Sequence, residues 1–128
     1  NIHADNLVWL DANDLTWINK NKAVAELLGI KVALLWGSPS SKQSYGLLLK
    51  LPANITVNIH SKSTEFHSIV IQGKLEHSVK GQSSTTQLRP SHYFGSKSET
   101  DHQISSTQAS TLYIRTTGRF TINFVQSD

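Results

Sequence analysis

The side chains best able to do chemistry lie in one stretch near the middle of the sequence. They are His60, Lys62, Glu65, Phe66, His67 and His102. Imidazole and carboxylate groups are ligands that suit Fe, Mn, Ni and Zn. In one interpretation a divalent metal is bound by His60, His67 and His102, with Glu65 as the alternative to His67. In the other no metal binds, and Lys62 adds a fixed positive charge to a polar pocket suited to an anionic ligand.

The choice between Glu65 and His67 depends on the strand that is predicted to begin beside them. Successive side chains of a strand point to opposite faces of the sheet. If Phe66 faces the interior, Glu65 and His67 both face outward, unless a β-bulge re-aims one of them. The sequence alone leaves both ligand sets open.

The remaining polar candidates are expected to have ordinary structural roles. His77 is expected to face a neighbouring strand or solvent, and His92 to make a hydrogen bond within a turn. Asp101 is expected to be a solvated acid in a loop. The alternative for Asp101 is that it orients the His102 imidazole through a hydrogen bond.

The elements that must position these residues are strands. Strand-like runs follow one another, separated by Gly, Pro and Asn, over residues 31–36, 45–51, 55–60, 66–72, 74–79, 85–88, 110–115 and 120–125. Ile55, Val57 and Ile59 alternate with polar residues, which is typical of a strand with one buried face. Short strands about ten residues apart predict an all-β domain, a sandwich or a barrel.

The first part of the chain has a different character. We predict an N-terminal arm over residues 1–30, followed by a single barrel over residues 31–128. Apolar residues between Lys20 and Leu28 have the spacing of a short helix, and Gly29 is a residue type that commonly ends one. Trp9 and Trp17 in the arm are expected to pack across a face of the barrel or onto a neighbouring subunit.

This pattern resembles the cupin superfamily, whose fold is a double-stranded β-helix, a jelly-roll barrel. Pro52, His60 and Gly73 resemble its first motif, and Pro90 followed by His102 resembles its second. With the stretch Leu-Leu-Trp-Gly-Ser ahead of the barrel core, the sequence is most similar to a bacterial cupin-like family of unknown function. The cupins of anti-sigma factors come next.

The resemblance implies a divalent metal held by two histidines and a glutamate of the first motif and by the histidine of the second. Residue by residue, only His60 and His102 match. Lys62 stands where the second histidine belongs. Counting back from the closing glycine puts Phe66 at the position of the glutamate, whereas counting from position 62 puts His67 there.

The function predicted from these residues is the binding of a small molecule in the barrel. The pocket is expected to be lined by His60, Lys62, Phe66, His67 and His102, with or without a divalent metal (Fe, Mn, Ni or Zn). The alternatives are a metal-free sensor or carbohydrate-binding module, a metal-dependent oxygenase or isomerase, and an interaction protein with a vestigial pocket. Whether the protein is an enzyme stays open, and a homodimer is expected from the resemblance to small cupins.

Composition narrows the functional classes further. The absence of cysteine excludes disulfides, zinc–thiolate sites and thiol nucleophiles. Twelve basic residues against nine acidic ones give a net charge of +3 without any basic cluster, so no nucleic-acid partner is expected. No apolar run approaches the roughly 18 residues of a membrane span. Because methionine is absent as well, we expect export to the periplasm or beyond in a bacterium, with the cytoplasm as the alternative.

Overall fold

The computed structural model describes residues 9–11, 29–38 and 40–125. For residues 9–11 and Phe124 it describes the backbone only. The helix predicted between Lys20 and Leu28, and the packing predicted for Trp9 and Trp17, lie outside the described residues and side chains.

The described residues form strands joined by turns, which confirms the all-β prediction. The strands are β1 Trp9–Asp11, β2 Lys31–Trp36, β3 Ser44–Leu51, β4 Ile55–Ser61, β5 Phe66–Gln72, β6 Leu75–Val79, β7 Thr86–Leu88, β8 Tyr93–Ser96, β9 Thr100–Ser106, β10 Ser110–Thr117 and β11 Phe120–Phe124. In that part of the chain no helix is long and apolar enough to cross a membrane.

Two antiparallel sheets carry the fold. The larger has six strands in the order β1-β2-β3-β10-β5-β8, and the smaller has five in the order β11-β4-β9-β6-β7. Part of the predicted arm belongs to the larger sheet, because β1 pairs antiparallel with β2.

One apolar core lies between the sheets. Strand alternation sends every second side chain inward, as the buried positions of β4 and β10 show. The larger sheet contributes Leu47, Leu49, Phe66, Val70, Leu112 and Ile114, and the smaller contributes Val57, Ile59, Leu75, Ile104 and Ile122. Each strand therefore has an inner face towards this core and an outer face, and this division decides where every candidate side chain lies.

Candidate functional site

The polar centre of the barrel interior is a hydrogen-bonded chain of three side chains. His102 of β9 is fully buried, and its Nδ1 lies 2.9 Å from Nε2 of His77 on β6. Its Nε2 lies 3.0 Å from the hydroxyl of Ser96 at the end of β8. His77 and Ser96 are both partly exposed, so the buried His102 lies between two half-buried partners, and Ser96 is at the end of the barrel.

Strand register places these residues together. β6 and β9 are neighbours in the five-stranded sheet, where Val79 lies opposite His102 and His77 lies opposite Ile104. His77 and His102 are therefore diagonal neighbours on the inner face. Ser96 comes from the six-stranded sheet, so the chain of hydrogen bonds links the two sheets across the interior.

Aromatic rings enclose the histidine pair. The Phe66 ring stacks on the His102 imidazole at 5.2 Å between centroids, and the Phe94 ring stacks on His77 at 4.4 Å. Phe120 meets the Phe66 ring edge-on at 5.8 Å. These apolar neighbours exclude water from the imidazoles, which penalises their charged forms.

Burial keeps both imidazoles neutral. Burial, with a smaller contribution from the neighbouring His77, lowers the pKa of His102 to about 4, against an opposing effect of Asp101. Burial lowers the pKa of His77 as well. At neutral pH the pair therefore carries no charge, and one of the two facing nitrogens must donate while the other accepts.

The two allowed proton arrangements give Ser96 opposite roles. When Nδ1 of His102 accepts from His77, Nε2 of His102 carries the proton and donates to the Ser96 oxygen. When Nδ1 of His102 donates to His77, Nε2 accepts from the Ser96 hydroxyl. The chain can thus present either a donor or an acceptor at its exposed end.

The structure places His60 on the outer face of the five-stranded sheet. Its Nδ1 lies 2.7 Å from Oδ1 of Asp101, and its Nε2 lies 3.0 Å from Oε2 of Glu99. Asn58 donates to the same Asp101 oxygen at 2.9 Å. This hydrogen bond is the main reason why the pKa of Asp101 lies below its ordinary value, and the His60 imidazole adds to it. Asp101 is thus a strand residue that binds His60, and it points away from His102.

The other predicted site residues are also separated. Phe66 faces inward, so its neighbour His67 faces outward and makes a 2.7 Å hydrogen bond through Nδ1 to the Tyr93 hydroxyl. Lys62 and Glu65 are exposed in the segment between β4 and β5. Of the predicted set, the structure brings only Phe66 and His102 together.

These positions do not fit the metal that the cupin resemblance implies. The inner-face residue opposite His102 on β4 is Ile59, and Phe66 fills the place next to it. Both nitrogens of His102 are already hydrogen bonded. No inward position of β4, β5, β6, β8 or β9 holds a carboxylate, and the described residues contain no group of three or more His, Asp or Glu side chains that could bind a metal ion. The predicted convergence of His60, His67 and His102 is absent because they occupy different faces.

Sequence reasoning missed two members of the polar centre. The prediction that His77 faces a neighbouring strand or solvent leaves it out of the site. Alternation from the buried, apolar Leu75 nevertheless places His77 on the same inner face. Ser96 carries no distinguishing signal in a chain rich in serine. Only its position at the end of β8, a strand that the sequence pattern did not reveal, brings it to His102.

Comparison with known proteins identifies both a family and a fold. A family model described as "Domain of unknown function (DUF4437)" matches residues 1–123. No curated protein matches the sequence.

Several solved structures share the architecture. Ectoine synthase from P. lautus is 12% identical over 79% of each chain, with a TM-score of 0.66. KdgF from Halomonas sp. is 17% identical over 91% of this chain and 93% of its own, with a TM-score of 0.65. An RmlC-like cupin from Shewanella frigidimarina is 16% identical over 70% and 76% of the two chains, with a TM-score of 0.59. At identities this low, the similarity shows the fold alone. The shared fold confirms the predicted cupin jelly roll.

Proposed function

The chain belongs to the DUF4437 family of domains of unknown function, and we propose that it binds a small, uncharged, hydroxyl-bearing molecule at the end of its barrel without a metal. The observation that carries this proposal is the hydrogen-bonded chain Ser96–His102–His77. It ends in the partly exposed hydroxyl of Ser96, and aromatic rings stack on the buried His102 and the half-buried His77.

The neutral interior selects the charge of the ligand. An ion moved into an apolar interior loses several kcal/mol of hydration unless an opposite charge receives it. The inner faces of β4, β5, β6, β8 and β9 offer neutral imidazoles, hydroxyls and apolar groups. A neutral ligand avoids this cost, whereas a carboxylate or phosphate does not.

The hydrogen bonds from His77 through His102 to Ser96 can run in either direction, and this property selects the chemistry of the ligand. A hydroxyl group is both a donor and an acceptor. The histidine pair can shift its protons, so Ser96 can donate to a ligand hydroxyl or accept from it. In either case each nitrogen of His102 keeps its hydrogen-bond partner. Neutral sugars and polyols belong to this class, which makes the metal-free carbohydrate-binding function the leading specific form of the proposal.

Neutral monosaccharides are the probes that test it. We expect millimolar glucose, galactose or mannose to shift the imidazole nitrogen resonances of His102 and His77 in NMR spectra of the labelled protein. Ser96→Ala should remove these shifts, because it deletes the partly exposed hydroxyl through which the ligand contacts His102. Ser98→Ala removes a hydroxyl from an exposed position two residues away and should keep them. Equal shifts in both variants, or none in the wild type with any neutral probe, would contradict the proposal.

Metal content separates this function from metal-dependent oxygenase or isomerase activity. We expect untagged protein incubated with Fe, Mn, Ni or Zn salts to retain far less than one equivalent after desalting, measured by plasma mass spectrometry. Lys62→His restores the histidine of the first cupin motif but should leave the metal content unchanged, because position 62 is exposed and outside the barrel interior. Stoichiometric metal that is lost in His102→Ala would establish a metal cupin instead.

We also propose that the protein is a homodimer, since small cupins commonly pair. Light scattering on the purified protein measures its mass directly, and a monomeric mass would contradict this part of the proposal.

A further inference from the structure

A second cleft lies on the outer face of the six-stranded sheet, on the far side of the sheet from the barrel interior. It has a volume of about 400 Å³ and is lined by His67, Ile69, Tyr93, Tyr113 and Arg115. Three adjacent strands supply these residues: β8, β5 and β10. Register brings them together, because Tyr113 lies opposite Ile69 and Arg115 lies opposite His67. The volume is within the roughly 300–1,000 Å³ that is typical of small-molecule sites.

Glycine makes room for one wall of the cleft. A Cβ at Gly95 would overlap the Tyr93 hydroxyl and approach Cζ of its ring to 2.8 Å. The tyrosine can therefore lie flat over the sheet only because position 95 has no side chain. Its hydroxyl is held there by the hydrogen bond to His67.

The opposite wall repeats this arrangement. A Cβ at Gly46 would overlap the Trp36 indole and lie 2.7 Å from the Tyr113 hydroxyl. Trp36 donates from Nε1 to that hydroxyl at 3.0 Å. Both tyrosines are thus positioned before any ligand arrives, which reduces the entropy lost on binding.

The strands around the cleft carry basic and no acidic side chains, although Glu65 lies exposed just before β5. Strands β2, β3, β5, β8 and β10 contain Lys31, Lys50 and Arg115 but no Asp or Glu. Asp11 of β1 lies at the far edge of the sheet, opposite Lys31. Arg115 is exposed and makes no hydrogen bond or ion pair with any described residue. Its guanidinium is available for the bidentate pairing that carboxylates form with arginine.

We propose that this cleft binds a small organic acid in which a carboxylate is attached to a planar ring. Arg115 holds the carboxylate, and the ring packs against Tyr93, Tyr113 and Ile69. Aromatic rings favour offset-stacked or edge-on contacts with one another, and such pairs contribute beyond the area they bury. The site is independent of the one proposed for neutral molecules, because the inward side chains of β5 and β10 separate the two.

A second copy of the chain is a weaker candidate for this face. Two-fold pairing places the same patch of both copies together. Here it would bring Arg115 towards Arg115 of the partner, with no carboxylate on β5, β8 or β10 to offset the two charges, and like-charge contacts are costly in an interface. A small anion instead complements the charge.

Benzoate is the probe that tests the proposal, with calorimetry as the measurement. We expect one saturable site in the wild type, and no binding of benzyl alcohol, which keeps the ring and lacks the charge. Arg115→Gln should raise Kd about tenfold or more, because a charged hydrogen-bonded pair is lost. Lys50→Gln removes one positive charge from the same face outside the cleft and should change Kd less than about threefold. Tyr93→Leu should weaken binding with the charge intact.

Several outcomes would overturn the proposal. They are an absence of saturable binding at millimolar benzoate, equal losses in Arg115→Gln and Lys50→Gln, and displacement of benzoate by inorganic phosphate at equal concentration. Light scattering adds one more: a dimer that becomes monomeric in Tyr93→Leu would assign this face to a second copy. None of these results bears on the sugar shifts at His102, so the two proposals succeed or fail separately.

Discussion

His102 shows how a fully buried polar side chain can have a partner for each of its polar atoms. Each of its ring nitrogens has a partner, and Phe66 and Phe94 cover its faces. A buried polar group with an unmade hydrogen bond costs about 1–3 kcal/mol, so this arrangement removes a penalty as much as it adds attraction. It also means that the imidazole cannot take up a proton without changing its hydrogen bond to His77 or the one to Ser96.

The buried imidazole makes stability depend on pH. The folded-state pKa of about 4 lies below the ordinary 6.5, so between these values the unfolded chain binds a proton that the folded chain does not. The free energy of unfolding therefore has its full value above about pH 6.5. It falls by on the order of 3 kcal/mol as the pH is lowered towards 4. Urea midpoints measured at steps across this window should fall steadily.

Two variants identify the residue responsible. In His102→Gln the midpoints should vary less with pH, with a smaller slope left from His77, whose pKa is also lowered. His92→Gln replaces an exposed imidazole that accepts from the Arg89 amide in a turn, outside the barrel interior, and should keep the slope that His102 causes. A wild-type curve that is flat over the window would show that His102 titrates normally.

The position of His60 on the outer face of the sheet shows that the sequence alone could not decide which face a strand residue occupies. Motif spacing puts a histidine near the end of β4, but a shift of one residue moves a side chain to the other face of a sheet. The pairing of β4 with β9 sets that choice, and it puts Ile59 opposite His102. Pairing register depends on contacts between segments about 40 residues apart, so local spacing does not contain it.

At the scale of elements, the turn from β5 to β6 depends on the backbone of Gly73. Its φ is +98°, a conformation that L side chains rarely adopt. A Cβ there would also overlap the Ser110 hydroxyl and lie 2.5 Å from the carbonyl oxygen of Ala109. That serine hydroxyl accepts from the Lys74 amide at 3.1 Å, so the turn is tied to the start of β10.

Gly73→Ala should therefore destabilise the protein by about 3 kcal/mol or more, since strain and a collision with backbone add together. Gly81→Ala is the matched control. Its φ is +91°, but a Cβ there meets nothing within 4 Å, so only the conformational cost of about 1–2 kcal/mol applies. Urea unfolding measures both, and equal losses would refute the role assigned to the contact with Ser110 and Ala109.

Some elements were visible in the sequence and others were not, for a physical reason. β4 and β10 place apolar residues at every second position, and the sequence predicted both. The inner face of β9 holds His102, Ile104 and Ser106. Only one of these three residues is apolar, so the strand shows no apolar–polar alternation in the sequence. β8 is four residues long and contains Gly95. These two strands hold His102 and Ser96, which is why the polar centre was only partly foreseen.

For the whole molecule, the two outer faces differ in charge. The five strands β2, β3, β5, β8 and β10 carry cations without carboxylates, whereas the five-stranded sheet includes Glu76 and Asp101. The net charge of +3 is taken over the whole sequence, loops included, and it conceals this division. Composition predicts no nucleic-acid partner, and it could not show that basic side chains lie around a cleft on one face.

The position of β10 has a consequence for how the chain is made. It lies between β3 and β5, and Leu51 pairs with Ser110 while Ser44 pairs with Thr117. The middle of the larger sheet therefore cannot close until residue 117 has left the ribosome. Until then the backbone edges of β3 and β5 that β10 will join stay unpaired, and such long-range pairing is slow and prone to aggregation. During synthesis, most strands of both sheets thus leave the ribosome before the strand that joins β3 to β5 is available.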